Sequence, residues 1–220
     1  MLNWNEIEAV LLDMDGTLLD LNFDNYFWLE HLPKRYAEIN YQPVKQVKPW
    51  LIEQIMAEKG RLNWYSLNFW SERFNLNLIE LKQEVAHLIG YRADALSFLQ
   101  QLNLTDKKII LATNADLPSL ELKLPLTQLN TQIEKIYSSA SFQAPKEEQA
   151  YWQQLQAAEN LNPARCLLID DNESVLQAAQ AFGIQHLISI QQPDTQQTTT
   201  NFSQFPAINN FAELNLANYL

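Results

Sequence analysis

Residues 10–20 read VLLDMDGTLLD. An apolar run beginning at Ala9 stops at Asp13, and after Met14 come Asp15, Gly16 and Thr17. A short, continuous apolar run bounded by turn residues is the pattern of a strand buried on both faces of a parallel sheet. Two carboxylates at the end of such a strand either cap a turn or hold a cation and do chemistry. Glycine occurs only at Gly16, Gly60, Gly90 and Gly183, far below the usual share of about 7%. Gly16 directly after Asp15 therefore suggests a backbone that must turn tightly there. An EF-hand calcium loop needs glycine at its sixth position and glutamate at its twelfth. Counting from Asp13 gives Leu18 and Asp24, so that reading fails.

Further apolar runs repeat the strand pattern at 108–113 (KIILAT), 135–139 (KIYSS), 166–169 (CLLI) and 186–190 (HLISI). Helical spacing separates them at 93–103, 146–159 and 172–182. Pro145 stands just before the middle one and acids lie in its first turn, both helix-start signals. Strands alternating with helices predict an α/β fold, a doubly wound, Rossmann-like parallel sheet. Residues 20–90 break the rhythm. They hold Trp28, Trp50, Trp64 and Trp70, four of the six tryptophans, at helical spacing with no convincing strand. The chain is thus read as a core domain from 1–19 and 91–220, interrupted by a helical insertion at 20–90. Residues 191–204, polar and repetitive, read as a surface loop.

Composition narrows the function classes. At 220 residues and 47% hydrophobic, roughly 70% of the unfolded chain's surface can be buried. A net charge of −11 and a pI near 4.7 speak against nucleic-acid binding, which needs a basic face. The single cysteine, Cys166, allows no internal disulfide and sits in a strand pattern, where a thiol behaves as a small hydrophobe. Residues 1–10 lack a basic stretch followed by an apolar one and are not expected to form a signal peptide, and no apolar run approaches the ~20 residues of a membrane span. A soluble cytoplasmic protein is expected.

The ligand edge of an open α/β sheet lies beyond the C-terminal ends of its strands. The strand patterns end there in Asp13 and Asp15, in Thr113 and Asn114, and in Asp170 and Asp171, while Lys146 opens the helix before the fourth strand. Carboxylates converging on one edge raise one another's pKa unless a cation relieves them. Mg²⁺ takes hard oxygen ligands and accepts substrate phosphate oxygens among them. Thr113 and Asn114 offer hydrogen bonds to an oxyanion, and Lys146 a point charge. In such a site Asp13 can attack phosphorus to form an aspartyl-phosphate, and Asp15 can serve as acid, then base.

This constellation resembles the haloacid dehalogenase (HAD) superfamily of aspartate-dependent phosphohydrolases. DMDGT matches its first motif, Thr113-Asn114 the second, Lys146 in APKEEQ the third, and Asp170-Asp171 in LLIDDNES the fourth. The resemblance implies Asp13 as nucleophile and metal ligand, and Asp15 as acid/base with its backbone carbonyl on Mg²⁺. It implies Thr113, Asn114 and Lys146 as phosphate holders, Asp171 as a direct metal ligand, and Asp170 as a direct or water-mediated one. DMDGTLLDLNFDNYFW, LNWYSLNFWSERFNL and LLIDDNESVLQAAQAFGI also resemble bacterial GMP/IMP nucleotidases. That closer likeness implies a purine nucleoside 5'-monophosphate as substrate and a lid, or cap, at 20–90.

Asp15 argues against the dehalogenases and phosphonatases of the superfamily, which lack an aspartate there. A phosphatase or phosphomutase for sugar or other small phosphates is the alternative, and a non-catalytic binding protein on the same fold is the alternative of another class. Trp64, Tyr65, Phe69 and Trp70 invite a base-stacking role but read first as the insertion's own core. Asn22, Asp24 and Asn25, just after the first motif, are candidates for touching substrate. The histidines have no partner spacing and are assigned nothing.

Overall fold

The structure, a computed structural model, describes residues 2–198 and 203–219. Six parallel strands form one sheet: β1 (Ala9–Leu12), β2 (Lys108–Thr113), β3 (Lys135–Ser138), β4 (Cys166–Asp170), β5 (His186–Ile190) and β6 (Ala207–Ile208). Their order is β3-β2-β1-β4-β5-β6. β1 lies at the centre, with Leu12 level with Leu111 of β2 and Ile169 of β4. β6 adds two residues to the edge, too few for a periodic signal in the sequence.

The insertion begins with α1 (Asn22–Tyr26), which runs through a π-helical stretch, Phe27–His31, into α2 (Leu32–Ile39). It continues with α3 (Val44–Met56), a 3₁₀ turn at Leu62–Tyr65, α4 (Leu67–Phe74) and α5 (Leu78–Glu84). The sheet is then flanked by α6 (Ala95–Leu102), α7 (Leu117–Thr127), α8 (Ser139–Phe142), α9 (Gln149–Glu159) and α10 (Glu173–Phe182).

Alternation along β1 sorts these layers. Val10 and Leu12 join Leu99, Leu102, Leu120 and Phe211 on one face, while Ala9 and Leu11 join Tyr151, Trp152, Leu155 and Leu176 on the other. Both faces are covered, so every β1 side chain is buried. Full burial of one leucine contributes about 1.5–3 kcal/mol. β1 is thereby a firmly anchored strand, and the aspartates at its end inherit that fixity. The insertion has an apolar cluster of its own, including Phe23, Phe27, Leu51, Trp70, Phe74 and Leu81. Trp70 is wholly buried there, stacked 5.2 Å from Phe74.

Two readings shift in detail. The helix expected from residue 146 begins at Gln149, with Glu148 still extended at its cap. Asn114 Oδ1 accepts from the Lys146 N–H and holds the residues before the helix in another conformation. The loop expected at 191–204 is not wholly superficial: Pro193 and Asp194 are buried. The Pro193 carbonyl accepts from Leu21 N, and Asp194 Oδ2 from Asn25 Nδ2, which ties this loop to the start of the insertion. Residues 199–202 of that stretch lie outside the described residues. Cys166 is buried and its thiol is pushed up to about 12 by burial, so it packs and does not react.

Candidate active site

The ladder between β1 and β4 continues one step past β1, where Asp13 N donates to Ile169 O at 3.0 Å. The chain then folds back in a compact loop in which Gly16 N donates to Leu19 O, and Leu18 and Leu19 donate to Met14 O. Gly16 has φ +88, in the region that favours glycine. A Cβ on it would lie 2.6 Å from Asp171 Oδ2. The glycine of the first motif thus serves twice: it permits the turn, and it leaves room for an aspartate of the fourth.

Asp13, Asp170 and Asp171 converge, each offering one carboxylate oxygen, all within 4.8 Å of one another. Lys146, 2% exposed, reaches into them from the turn before α9. Its Nζ donates to Asp13 Oδ1 at 2.5 Å, Asp170 Oδ2 at 2.6 Å and Ala112 O at 3.0 Å. Its backbone is held at both ends, by Asn114 Oδ1 on the N–H and by Trp152 Nε1 on the carbonyl. Asn114 therefore fixes the lysine's loop through Oδ1, while its Nδ2 donates to Glu147 Oε2 at 3.0 Å. Thr113 is buried, and its Oγ1 accepts from Ala115 N. Asp15 follows two residues after Asp13, its Oδ1 accepting from Lys123 Nζ at 2.6 Å.

Asp13 and Asp170 share the Lys146 ammonium with Asp171 close beside them, and the acidities of the site follow. Burial, assisted by the charge of Asp170 and opposed by Lys146, pushes Asp13 up to about 6. Burial also pushes Asp15 up to about 6, with Lys123 opposing and Asp24 and Asp13 adding to the rise. Asp171 is raised well above the usual carboxylate range by burial and then by Asp13 and Asp170. Lys146 goes the other way: burial disfavours its charge, but Asp13 and Asp170 outweigh that and hold it protonated. The cluster keeps more negative charge than Lys146 cancels. A donor set of close, hard carboxylate oxygens fits a divalent cation of the calcium or magnesium class.

Several residues of this centre carried no signal in the sequence. Glu147 gathers Asn114 Nδ2, Asn172 Nδ2 at 3.4 Å and the Tyr65 hydroxyl at 2.5 Å. Tyr65 comes from the insertion, and with Leu67 N donating to Asp116 Oδ2 at 2.6 Å it lays that segment against the ends of the strands. Lys123 and Lys82 are buried lysines in leucine-rich helices, where nothing in the sequence points to Asp15 or Asp24 as their partners. Asp24 was a candidate for substrate contact. The structure instead engages both of its oxygens with Lys82 and Lys123, because two buried ammonium groups need a carboxylate between them.

A family model described as haloacid dehalogenase-like hydrolase matches residues 10–188. The chain is a haloacid dehalogenase-like hydrolase. The GMP/IMP nucleotidase YrfG of Escherichia coli (strain K12) is 35% identical to this hydrolase over 211 residues, which cover 96% of this chain and 95% of that protein. Among solved structures, a HAD phosphatase from Thermococcus onnurineus superposes with a TM-score of 0.76 at 20% identity, over 96% of this chain and 98% of that one. CbbY from Rhodobacter sphaeroides, solved in complex with phosphate, gives 0.69 at 16% identity over 94% and 96%. At these identities the structural likenesses establish the hydrolase's fold alone. No helix of its described residues is long and apolar enough to cross a membrane.

Proposed function

We propose that this hydrolase is a Mg²⁺-dependent phosphomonoesterase that works through an aspartyl-phosphate on Asp13, with a purine nucleoside 5'-monophosphate as substrate. The observation that carries the phosphatase reading is the meeting of Asp13, Lys146, Asp170 and Asp171 at the end of β1, with a second carboxylate, Asp15, two residues on. Asp13, Asp170, Asp171 and the backbone carbonyl of Asp15 are the groups that would hold Mg²⁺. The ion supplies charge neutralisation for the phosphoryl oxygens.

The residues divide the reaction as follows. Lys146, Thr113 and Asn114 hold the phosphoryl group beside Asp13. An Asp13 carboxylate oxygen forms a bond to phosphorus while the ester P–O bond breaks. The electron pair of that bond stays on the leaving oxygen, which takes the proton of Asp15 and departs as an alcohol. Asp15, now a carboxylate, takes a proton from water as the water oxygen attacks phosphorus. The bond to Asp13 breaks, its electron pair returns to the carboxylate, and inorganic phosphate leaves. An Asp15 pushed up to about 6 is suited to both halves of this cycle near neutral pH.

Residues 20–90 act in this reading as a cap that excludes bulk water from the reaction, and Tyr65 on Glu147 is one of its contacts with the core. Support for a purine substrate comes from the nucleotidase likeness, which runs through the insertion as well as the core. The test is phosphate release with Mg²⁺ from nucleoside monophosphates, sugar phosphates and small phosphates. IMP and GMP are expected to rank near the top. A clear preference for sugar phosphates retires the nucleotidase reading but keeps the phosphatase. An isomeric phosphate ester in place of inorganic phosphate makes the protein a mutase.

The cation can be tested without turnover. Asp13 and Asp15, pushed from 3.8 up to about 6, bind more protons in the folded chain than in the unfolded one between those values. Their contribution to metal-free stability is therefore lost as pH rises through that window. Binding of Mg²⁺ requires its carboxylate ligands, Asp13 among them, deprotonated, and it stabilises only the folded state. Thermal melts should show a rise in Tm with Mg²⁺ that is larger at pH 7.5 than at pH 5. A rise that is absent or independent of pH counts against a carboxylate metal centre.

A further inference from the structure

A row of charges, its lysines buried and its aspartates partly buried, leaves the active site through Asp15 and enters the insertion. Asp15 Oδ1 accepts from Lys123 Nζ at 2.6 Å. The same Nζ donates to Asp24 Oδ2 at 2.6 Å, and Asp24 Oδ1 accepts from Lys82 Nζ at 2.7 Å. The charges alternate in sign from end to end. Asp15 stands in the loop after β1, Lys123 on α7 of the core, and Asp24 and Lys82 on α1 and α5 of the insertion. Both ammonium groups sit over the ring of Phe23, at 5.1 Å for Lys82 and 5.2 Å for Lys123. The side chains of Lys82 and Lys123 are 3% and 2% exposed.

Apolar residues of similar volume hold such a position at least as well as a buried ion row does. The row therefore calls for a reason other than stability, and the carboxylate at its end supplies one. Resting on the phosphatase reading above, we propose that Lys123 and Asp24 are positioning residues for Asp15. Lys123 holds Asp15 by Oδ1, so that Oδ2 carries the proton toward the leaving oxygen, and Asp24, itself held by Lys82, fixes Lys123. The acid/base is in this way aligned by the insertion and not by the core alone. When the ester P–O bond breaks, its electron pair goes to the leaving oxygen, and the proton on Asp15 Oδ2 follows. A displaced Asp15 delivers that proton late.

Dependence on the leaving group separates positioning from mere structure. p-Nitrophenolate is weakly basic and departs without a proton, whereas a benzylic alkoxide requires one. p-Nitrophenyl and p-nitrobenzyl phosphate are close in size, so a change in shape of the site affects both. The measurement is kcat/KM, with Mg²⁺, which reports the transfer of the phosphoryl group to Asp13. In Lys123→Gln the value for the benzyl ester should fall about 10–100-fold further than that for the phenyl ester, in the range of a misplaced or lost general acid. Asp24→Asn should shift the ratio the same way, and Lys123→Arg should recover part of it. Asp15→Asn should show the same selective loss, with Lys123→Gln adding little on top of it, as for residues that act as one unit.

Equal falls for the two esters in Lys123→Gln and Asp24→Asn overturn the proposal and leave the phosphatase intact. If Lys123→Gln does not fold, the ratio in Asp24→Asn decides alone. Absence of phosphate release from the unsubstituted protein with these esters and with nucleoside monophosphates, sugar phosphates and small phosphates overturns the phosphatase reading and the positioning role together.

Discussion

Asp13→Asn is expected to abolish phosphate release, with a loss of about 10⁴-fold or more in kcat, the scale seen when a covalent nucleophile is removed. The substitution preserves shape. Asn Oδ1 can still accept from Lys146 Nζ, which now donates to Asp13 at 2.5 Å, and the β1–β4 ladder through Asp13 N is untouched. A neutral amide, however, is a poor nucleophile toward phosphorus. The loss should appear equally with every phosphate ester, because the bond that fails to form is common to them all. Acid-quenched single-turnover reactions should show a phosphorylated intermediate in the parent protein and none in the variant.

Stability should move in the opposite direction, or not at all. Asp13 is held at about 6 because it is buried and faces Asp170, so near pH 7 its negative charge is maintained at a cost. Removing it leaves Lys146 paired with Asp170 at 2.6 Å and relieves the repulsion on Asp171, whose acidity Asp13 suppresses. A metal-free Tm for Asp13→Asn equal to or above that of the parent is expected at pH 7.5, an instance of function held against stability. A fall of many degrees with unchanged activity would assign Asp13 a structural duty and remove the basis of the mechanism.

What the sequence revealed, and what it hid, follows from which residues act locally. β1 to β5 were legible because strands inside a parallel sheet are written as short, largely apolar runs. The end of each such run carries a polar group whose place is set by the strand, which is why Asp13, Thr113 and Asp170 could be named from the chain alone. Lys146 was legible only as part of that set. α7 was not, because Pro125 stands inside it and proline argues against a helix interior. Lys123 was hidden with it: a lysine between leucines reads as a solvated charge until a fold brings Asp15 and Asp24 to it from 108 and 99 residues away. Glu147 and Tyr65 meet across 82 residues, one from the core and one from the insertion. No spacing rule reaches such a pair. The groups assigned the chemistry stand at or just after strand ends and are local, whereas the groups proposed to aim them are tertiary.

Lys146→Met is the change expected to damage both function and fold. The lysine is 2% exposed and is the cation bonded to Asp13 and Asp170. Methionine replaces its volume but leaves three carboxylates within 4.8 Å of one another without that charge. Removing one partner of a buried ion pair costs about 3–5 kcal/mol, and for a chain of this size each kcal/mol lowers Tm by about 2–4 °C. A fall in Tm of roughly 6–20 °C at pH 7.5 follows from those two figures. Acidity gives the pH signature. Lys146 is the leading influence that lowers Asp13 and Asp170, so without it both rise further above the unfolded value of 3.8. The folded variant then binds more protons than the unfolded chain over a window reaching beyond pH 6, and stability falls as pH rises through it. The deficit relative to the parent should be small at pH 5 and large at pH 7.5, and Mg²⁺ should recover part of it at the higher pH. Activity should fall by about 10²–10³-fold, the scale for losing one preorganised charge at a reacting oxyanion. Lys146→Arg should not restore it, because a planar guanidinium cannot take the place of a compact ammonium whose three donors are all engaged. A variant whose Tm deficit is the same at both pH values would show that Lys146 supports the fold by packing and not by its charge.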